Sequence, residues 1–344
     1  MPASLIETLA VMVAKVAVVF GVLLLVAAYM TWLERKVIAD MQVRWGPTRV
    51  GPFGLLQPIA DGIKLFFKED LVPSQVDRVL FLLAPALSVI PAMIAFAVIP
   101  FGGTTTLFGL LPHAITLQIT DIDVGVLYVF GVTSLGVYGI VLAGWASNNK
   151  YSLLGGLRSS AQMISYELSM GMSVIGVLLM VGSLRLSEIV RAQSGVTWWL
   201  PILPVPNWFL FSQPLGFAIF FVCALAETNR APFDLPEAET ELVAGFHSEY
   251  SSMKFAMFFM AEYANMATAS AMATTLFLGG PAGPFGPSPV WFVGKVFFLL
   301  FIFIWFRASL PRFRYDQLMT FGWKRLLPLT LVNMVITAVV AAVR

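Results

Sequence analysis

Long apolar runs alternate with short polar ones along nearly the whole chain. Eight runs stand out, at about 9–33, 79–101, 124–146, 162–182, 207–226, 253–277, 290–308 and 324–343. Each is close to the 20 residues a helix needs to cross a hydrocarbon core of roughly 30 Å. The first is too long for a signal peptide and lacks a small-residue cleavage pattern, so it reads as a span. The expected fold is an all-α polytopic membrane protein of about eight transmembrane helices, with residues 1–344 forming a single integral membrane domain. One more segment, "GPFGLLQPIADGIKLFFKEDLVP" (51–73), is too polar to span but is patterned like a helix. Leu55, Leu56, Ile59, Ile63, Phe66 and Phe67 share one face, with Gln57, Asp61, Lys64 and Lys68 elsewhere. That pattern predicts an amphipathic helix lying in the interface plane. It fits either simple packing against the bundle or a lip that admits a lipid-soluble molecule from the bilayer.

Composition supports the membrane reading. Of 344 residues, 58% are hydrophobic and 12% charged, about half the charged fraction of a soluble domain. The bases give the orientation. The first loop holds Arg35, Lys36, Arg44, Arg49, Lys64, Lys68 and Arg78, and the third holds Lys150 and Arg158. The seventh holds Arg312 and Arg314, with Arg307 and Lys324 at its edges. The second and sixth loops have no Lys or Arg, and the fourth has Arg185 and Arg191. Loops 34–78, 147–161, 227–252 and 309–323 are therefore expected on the cytoplasmic side, with both termini outside.

Several chemistries are excluded. The single cysteine, Cys223, cannot provide the four thiolates of an iron–sulfur cluster. The two histidines, His113 and His247, fall in expected loops, a poor arrangement for a haem between helices. Neither a phosphate-binding G-x-x-x-x-G-K-[ST] loop nor a strand–GxGxxG–helix unit occurs. No metal, bound cofactor or nucleic-acid partner is expected of this chain. Redox chemistry would have to come from a partner or a diffusible substrate.

The charge distribution is uneven. "AETNRAPFDLPEAETELVAGFHSEY" (226–250) carries Glu227, Asp234, Glu237, Glu239, Glu241 and Glu249, six of the 19 acids, against one base, Arg230. Part of it resembles a helix start, with Asp234 as cap, Pro236 in the first turn and Glu237 in a capping box. Acids there are favoured by the helix dipole. Glu239 and Glu241 are not explained this way, and Glu237 and Glu241 repel at four-residue spacing. If the helix continued, Glu249 would share their face two turns later. A solvated acidic loop is one reading. The other is the mouth of a proton path continuing to Glu167 and Glu262, which lie within apolar runs. Ionisable groups inside a membrane usually line a pathway or pair with one another, and clustered carboxylates take up and release protons as a coupled set. Lys15 and Lys295 also fall within runs. Snorkelling or a satisfied interhelical pair explains Lys15 and competes with function at Lys295 and Glu262.

Four stretches resemble one family: "WLERKVIADMQVRWGPTRVGPFGLLQPIADGIKLFFKED", "GWASNNKYSLLGGLRSSAQMISYELSMG", "AETNRAPFDLPEAETELVAGFHSEYSSMKFAMFFMAEYANM" and "PRFRYDQLM". It is the family of the membrane-embedded H subunit of proton-translocating NADH–quinone oxidoreductase, respiratory complex I, whose mitochondrial counterpart is NADH dehydrogenase subunit 1. The likeness runs from roughly residue 20 to 330. It implies a chain that helps form the quinone chamber, anchors the electron-transfer arm, and links quinone reduction by NADH to proton translocation. The chamber and its approach would involve Glu34, Arg35, Arg44, Asp61 and Phe66, with Arg230, Phe233 and Asp234 further in. A carboxylate relay would use Glu167, Glu227, Glu237, Glu239, Glu241 and Glu249, with Glu262 added from the intramembrane reading. Arg312 and Arg314 would meet the arm. Quinone, expected to be ubiquinone, would be the substrate. NADH, FMN and iron–sulfur clusters would belong to partner subunits, and membrane lipid and neighbouring small membrane subunits would surround the chain. The outer loops 102–123 and 183–206 resemble the family least and receive no role. Two other readings stay open: a stand-alone cation/proton antiporter, against which the lack of an internal repeat counts, and the equivalent component of a membrane-bound hydrogenase. The expected location is a bacterial plasma (inner) membrane, with a mitochondrial inner membrane as the alternative.

Overall fold

The structure, a computed structural model, describes residues 3–105, 115–200, 203–234, 243–283 and 286–343. Twelve α-helices occur among them: α1 Ala3–Met41, α2 Gln57–Phe67, α3 Arg78–Ile94, α4 Gly125–Ala146, α5 Lys150–Val181, α6 Leu186–Gln193, α7 Phe209–Ser212, α8 Pro214–Glu227, α9 Ser252–Phe277, α10 Pro289–Ser309, α11 Tyr315–Phe321 and α12 Leu327–Val343. A π-helical turn at Gly322–Leu326 joins α11 to α12. Two short antiparallel hairpins occupy the outer loops, β1 Thr104–Thr105 with β2 Ile115–Thr116, and β3 Val196–Leu200 with β4 Leu203–Pro206. The chain is thus the expected polytopic helical protein. Six helical segments among the described residues are long and apolar enough to cross a membrane: 9–41, 78–98, 125–146, 150–181, 289–309 and 315–343. The other two expected spans differ in kind. α8 has 14 residues, about 21 Å at 1.5 Å per residue, short of the full hydrocarbon thickness. α9 has 26 residues and is long enough, but Lys254, Glu262, Asn265 and several hydroxyls make it polar. It tolerates them because α1, α3, α8 and α10 surround it.

Helix ends follow local chemistry. The Asp77 side chain accepts from Val79 N (3.1 Å) and Leu80 N (3.3 Å) to cap α3. Asn149 caps α5 by accepting from Tyr151 N at 2.9 Å. α1 and α5 run further than the apolar runs predict, α1 through Glu34–Met41 and α5 from Lys150 rather than 162. Neither extension contains a proline, and each has an inner face to bury. In α5 the extension includes Gly155, where a Cβ would lie 2.8 Å from the backbone of Gly245 and Phe246, so bare backbone here seats the Gly245–His247 turn. The amphipathic helix is shorter than 51–73. Phe53 (φ 56°) and Gly54 (φ 78°) are left-handed, which keeps Leu55 and Leu56 out of it. On α2 itself Ile59, Ile63, Phe66 and Phe67 are all exposed, forming an apolar face.

The loops segregate to two ends. Those expected to be cytoplasmic meet one another: Asn148 Nδ2 donates to Gln75 O (3.2 Å), Asn149 Nδ2 to Glu249 Oε1 (2.7 Å), Ser251 Oγ to Glu69 O (3.3 Å), and Arg312 Nη2 to Asp234 Oδ2 (2.8 Å). At the other end Arg185 pairs with Asp123, and Ser187 Oγ donates to Asp121 Oδ2 at 2.7 Å. Lys15 belongs to that end, donating to Gln118 O at 3.0 Å. Lys295 proves to be an interhelical cap. Its ammonium donates to Leu278 O (2.6 Å), Gly280 O (2.9 Å) and Ala282 O (2.7 Å), just past the end of α9, and lies 4.6 Å from the Trp208 ring centroid. A cation at a helix C-terminus offsets the dipole and satisfies leftover carbonyls. Lys295→Met is expected to lose roughly 1–3 kcal/mol. A lower half-inactivation temperature for the detergent-solubilised protein is the measurement.

Candidate functional site

Four elements bring charge to one buried place. Glu34, on the extension of α1, is 5% exposed and Arg230, just after α8, is 4% exposed. Arg230 Nη1 lies 3.5 Å from both Glu34 carboxylate oxygens, its Nε pairs with Glu262 of α9, and Arg307 of α10 pairs with Glu34. Tyr263 OH donates to Glu34 Oε2 at 2.8 Å, and the Arg230 guanidinium carbon lies 4.4 Å from the Tyr263 ring centroid. Two acids and two bases make the cluster neutral overall when all are ionised. Neutrality makes burial tolerable, since lone charges at such depth cost several kcal/mol each while a well-paired set recovers much of that. Arg230 pairs with both acids. Glu262, read as a relay acid, is a member of this ion cluster.

The turn carrying Arg230 is braced from α5. Gln162, fully buried, donates from Nε2 to Ala226 O and Phe233 O, each at 2.8 Å, and lies 3.4 Å from Asn229 Oδ1. One helical turn on, Tyr166 donates from OH to Leu318 O at 2.9 Å, with its ring centroid 5.7 Å from that of Phe233. Phe233 in turn stacks on Phe313 at 5.5 Å, and Phe313 N donates to Pro232 O at 3.0 Å. The segment 226–234 is therefore held on one side by α5 and on another by the extended stretch 310–314, with Arg312 on Asp234.

Two small cavities adjoin this turn. One, of about 40 Å³, is lined by Glu227, Glu262, Asn229, His247 and Asn265 among others. At roughly 10–15 Å³ per water it has room for about three, and the polar side chains among its mostly apolar lining offer them partners. The second, of about 20 Å³, shares Glu227, Thr228 and Asn265 and continues to Thr133 and Thr268. Glu227 thus faces both. It is also close enough to Glu167 of α5 for their charges to repel.

The remaining expected residues are dispersed. Arg35 donates to Asp61 Oδ2 at 2.8 Å, tying α1 to α2, and Gln57 Nε2 reaches Asp61 Oδ1 at 3.1 Å. The Arg35 side chain is 55% exposed, so this pair adds at most about 1 kcal/mol. Phe66 lies on the exposed face of α2, while Arg44 is exposed and donates to Gln42 Oε1 at 2.7 Å. Residues 243–250 form turns with a 3₁₀ segment at Gly245–His247, and Glu249 accepts from Asn149. Arg312 and Arg314 both have partners within the chain, Asp234 and Asp316 (2.5 and 2.6 Å). Glu237, Glu239 and Glu241 lie outside the described residues.

Sequence reading did not single out Gln162, Tyr263 or Asn265, and it treated Arg307 as an ordinary flanking base and His247 only as a poor haem ligand. A lone amide in an apolar run is the signal at Gln162. For Tyr263 it is the neighbouring Glu262 within a span. Nothing in the local sequence distinguishes Arg307 from a base that simply faces the cytoplasm.

Comparison with known proteins gives one consistent result. The family model described as NADH dehydrogenase matches residues 14–338. The chain is 58% identical over 342 residues to an H subunit of the NADH-quinone oxidoreductase of Geobacter sulfurreducens, covering 97% of this chain and 95% of that one. It is 58% identical over 323 residues to the NADH-quinone oxidoreductase H subunit of Thermomicrobium roseum (94% of each). The Rickettsia rickettsii counterpart is 55% identical over 324 residues, 92% of this chain and 89% of that one. The chain belongs to the NADH dehydrogenase family, among the H subunits of NADH–quinone oxidoreductase, and is a membrane-embedded subunit of an enzyme complex.

Proposed function

We propose that this subunit forms the membrane side of a quinone chamber and converts the charge changes of quinone reduction into proton movement through its buried carboxylates. The observation that carries this reading is the neutral cluster Glu34–Arg230–Glu262–Arg307, set three residues from Glu227 and joined to it through a small cavity that Glu227 and Glu262 both line. Reduction of a quinone to a quinol takes two electrons and two protons. The electrons come from NADH through redox groups, FMN and iron–sulfur clusters, held by partner subunits. This chain contributes position and charge. The exposed apolar face of α2 meets the bilayer, and a lipid-soluble quinone approaches past it, by Arg35 and Asp61. Charge appearing on the quinone side perturbs Glu34, and Arg230 shifts its share of pairing between Glu34 and Glu262. Glu262 and Glu227 line the same cavity, so a change at one alters proton affinity at the other through water, and Glu167 feels Glu227. The acids act as an electrostatic relay leading towards other membrane subunits. Arg312 and Arg314 lie at the end where the arm docks. The relatives named above are bacterial, which supports a plasma-membrane location.

The test is to tag the chain, extract membranes in mild detergent, and assay native size and NADH–quinone activity. A very large assembly with inhibitor-sensitive NADH–quinone activity is expected. A small species exchanging cations for protons, with no redox partner, would overturn the reading.

A further inference from the structure

We propose that Gln162 is a positioning residue that sets Arg230 between its two carboxylates, an inference resting on the functional reading of the Arg230 cluster. Gln162 sits on α5, whereas the acids that draw Arg230 sit on α1 and α9. Its amide nitrogen has two hydrogens, and the two carbonyls it reaches at 2.8 Å belong to the first and last limbs of the turn, Ala226 and Phe233. Arg230 lies midway between them in sequence. One buried group therefore closes the neck of the loop on whose tip the guanidinium is carried.

The amide orientation is fixed by its surroundings. Reversing it would set Oε1 against two carbonyl oxygens, whereas in the orientation present Oε1 accepts no hydrogen bond among the described residues. A group retained only for packing would do as well as leucine or methionine there. The bonds inside the turn, Thr228 N to Ala224 O (3.1 Å), Asn229 N to Ala226 O (3.3 Å) and Phe233 N to Arg230 O (2.8 Å), are all short-range. They shape each limb without fixing the distance between them. Arg230 Nη1 already stands 3.5 Å from each Glu34 oxygen, so a wider neck of a few tenths of an ångström breaks that contact. Gln162 and Tyr166 also lie one helical turn apart, so a single face of α5 holds both Phe233 O and the Phe233 ring.

The experiment uses the assembled complex carrying Gln162→Leu, Arg230→Lys, or both. NADH oxidation by a water-soluble artificial acceptor reports assembly of the arm, and steady-state kinetics with a short-chain quinone report turnover and apparent KM. Gln162→Leu is expected to leave artificial-acceptor activity within about twofold and to lower quinone turnover about tenfold, an effect of roughly 1.4 kcal/mol. Added to Arg230→Lys, it is expected to cause less than about a twofold further loss, because a residue acting through another is not additive with it. Multiplying losses, or a loss that follows assembly alone, would overturn the proposal while leaving the cluster's role intact. A fully active Arg230→Lys would remove the functional reading and the proposal together. If Gln162→Leu does not accumulate, Gln162→Asn withdraws the amide by one methylene and carries the same comparison.

Discussion

Replacing Arg230 with methionine is expected to reduce quinone-dependent NADH oxidation about 100-fold, which corresponds to roughly 2.7 kcal/mol. Arg230 is the member of the cluster that touches both acids. Without it Glu34 keeps Arg307 and Tyr263, but Glu262 loses its guanidinium and remains half-buried. Removing one partner of a buried pair typically costs roughly 3–5 kcal/mol, because the other charge is left uncompensated. Loss of the guanidinium over the Tyr263 ring adds to this. Part of the cost should appear as poor assembly, so a second variant separates stability from function. Arg230→Met combined with Glu262→Gln restores charge balance and is expected to recover assembly, read by artificial-acceptor activity, without recovering quinone turnover. If turnover returns with assembly, Arg230 is a structural counter-ion and no more. If the single variant keeps more than half its turnover, the cluster has no part in the reaction.

How much of this the sequence carries depends on how local the cause is. Spans are local, since a run of apolar residues must be helical in lipid to satisfy its backbone, and six of the eight expected runs appear as long apolar helices. The amphipathic α2 is local too, although its start needed the left-handed backbone at Phe53 and Gly54 to be known. Helix overruns such as Glu34–Met41 are not visible, because a helix that leaves the membrane loses its apolar pattern but not its hydrogen bonds. The cluster is the least local feature. Glu34, Arg230, Glu262 and Arg307 are far apart in the chain, and only the packing of α1, α9 and α10 around the post-α8 turn brings them together. Sequence chemistry marked Arg230 as the one base of the acidic stretch but not which acids it meets. It placed Glu34 with the quinone approach and Glu262 with the relay, whereas one guanidinium holds both. Gln162 went unmarked for a related reason: an amide in an apolar run signals a buried hydrogen bond without identifying its partner.

Replacing Glu227 with glutamine should separate a titrating carboxylate from a structural one. The substitution keeps volume and most hydrogen bonding and removes only the exchangeable charge. Glu227 faces both cavities and repels Glu167, and no ion-pair partner for it occurs among the described residues. The amide should therefore leave assembly and artificial-acceptor activity unchanged. Quinone-linked turnover coupled to proton uptake should fall about 100-fold or more, within the range of roughly 10²–10⁴ attributed to one positioned proton-transfer group. Glu262→Gln should behave differently, because that acid is bound to Arg230: its loss leaves Arg230 underpaired and should lower assembly as well. In proteoliposomes the decisive quantity is protons moved per NADH oxidised. A Glu227→Gln complex that oxidises NADH at the parental rate and pumps at the parental ratio would show the acid to be a passive lining and would sink the relay. Slow oxidation at an unchanged ratio would make Glu227 rate-limiting for proton supply to the quinone. A lowered ratio would place it on the path that joins quinone chemistry to pumping. The relay as drawn, running from Glu34 through Arg230 and Glu262 to the cavity, requires the lowered ratio, because Glu227 stands where that cavity meets the next.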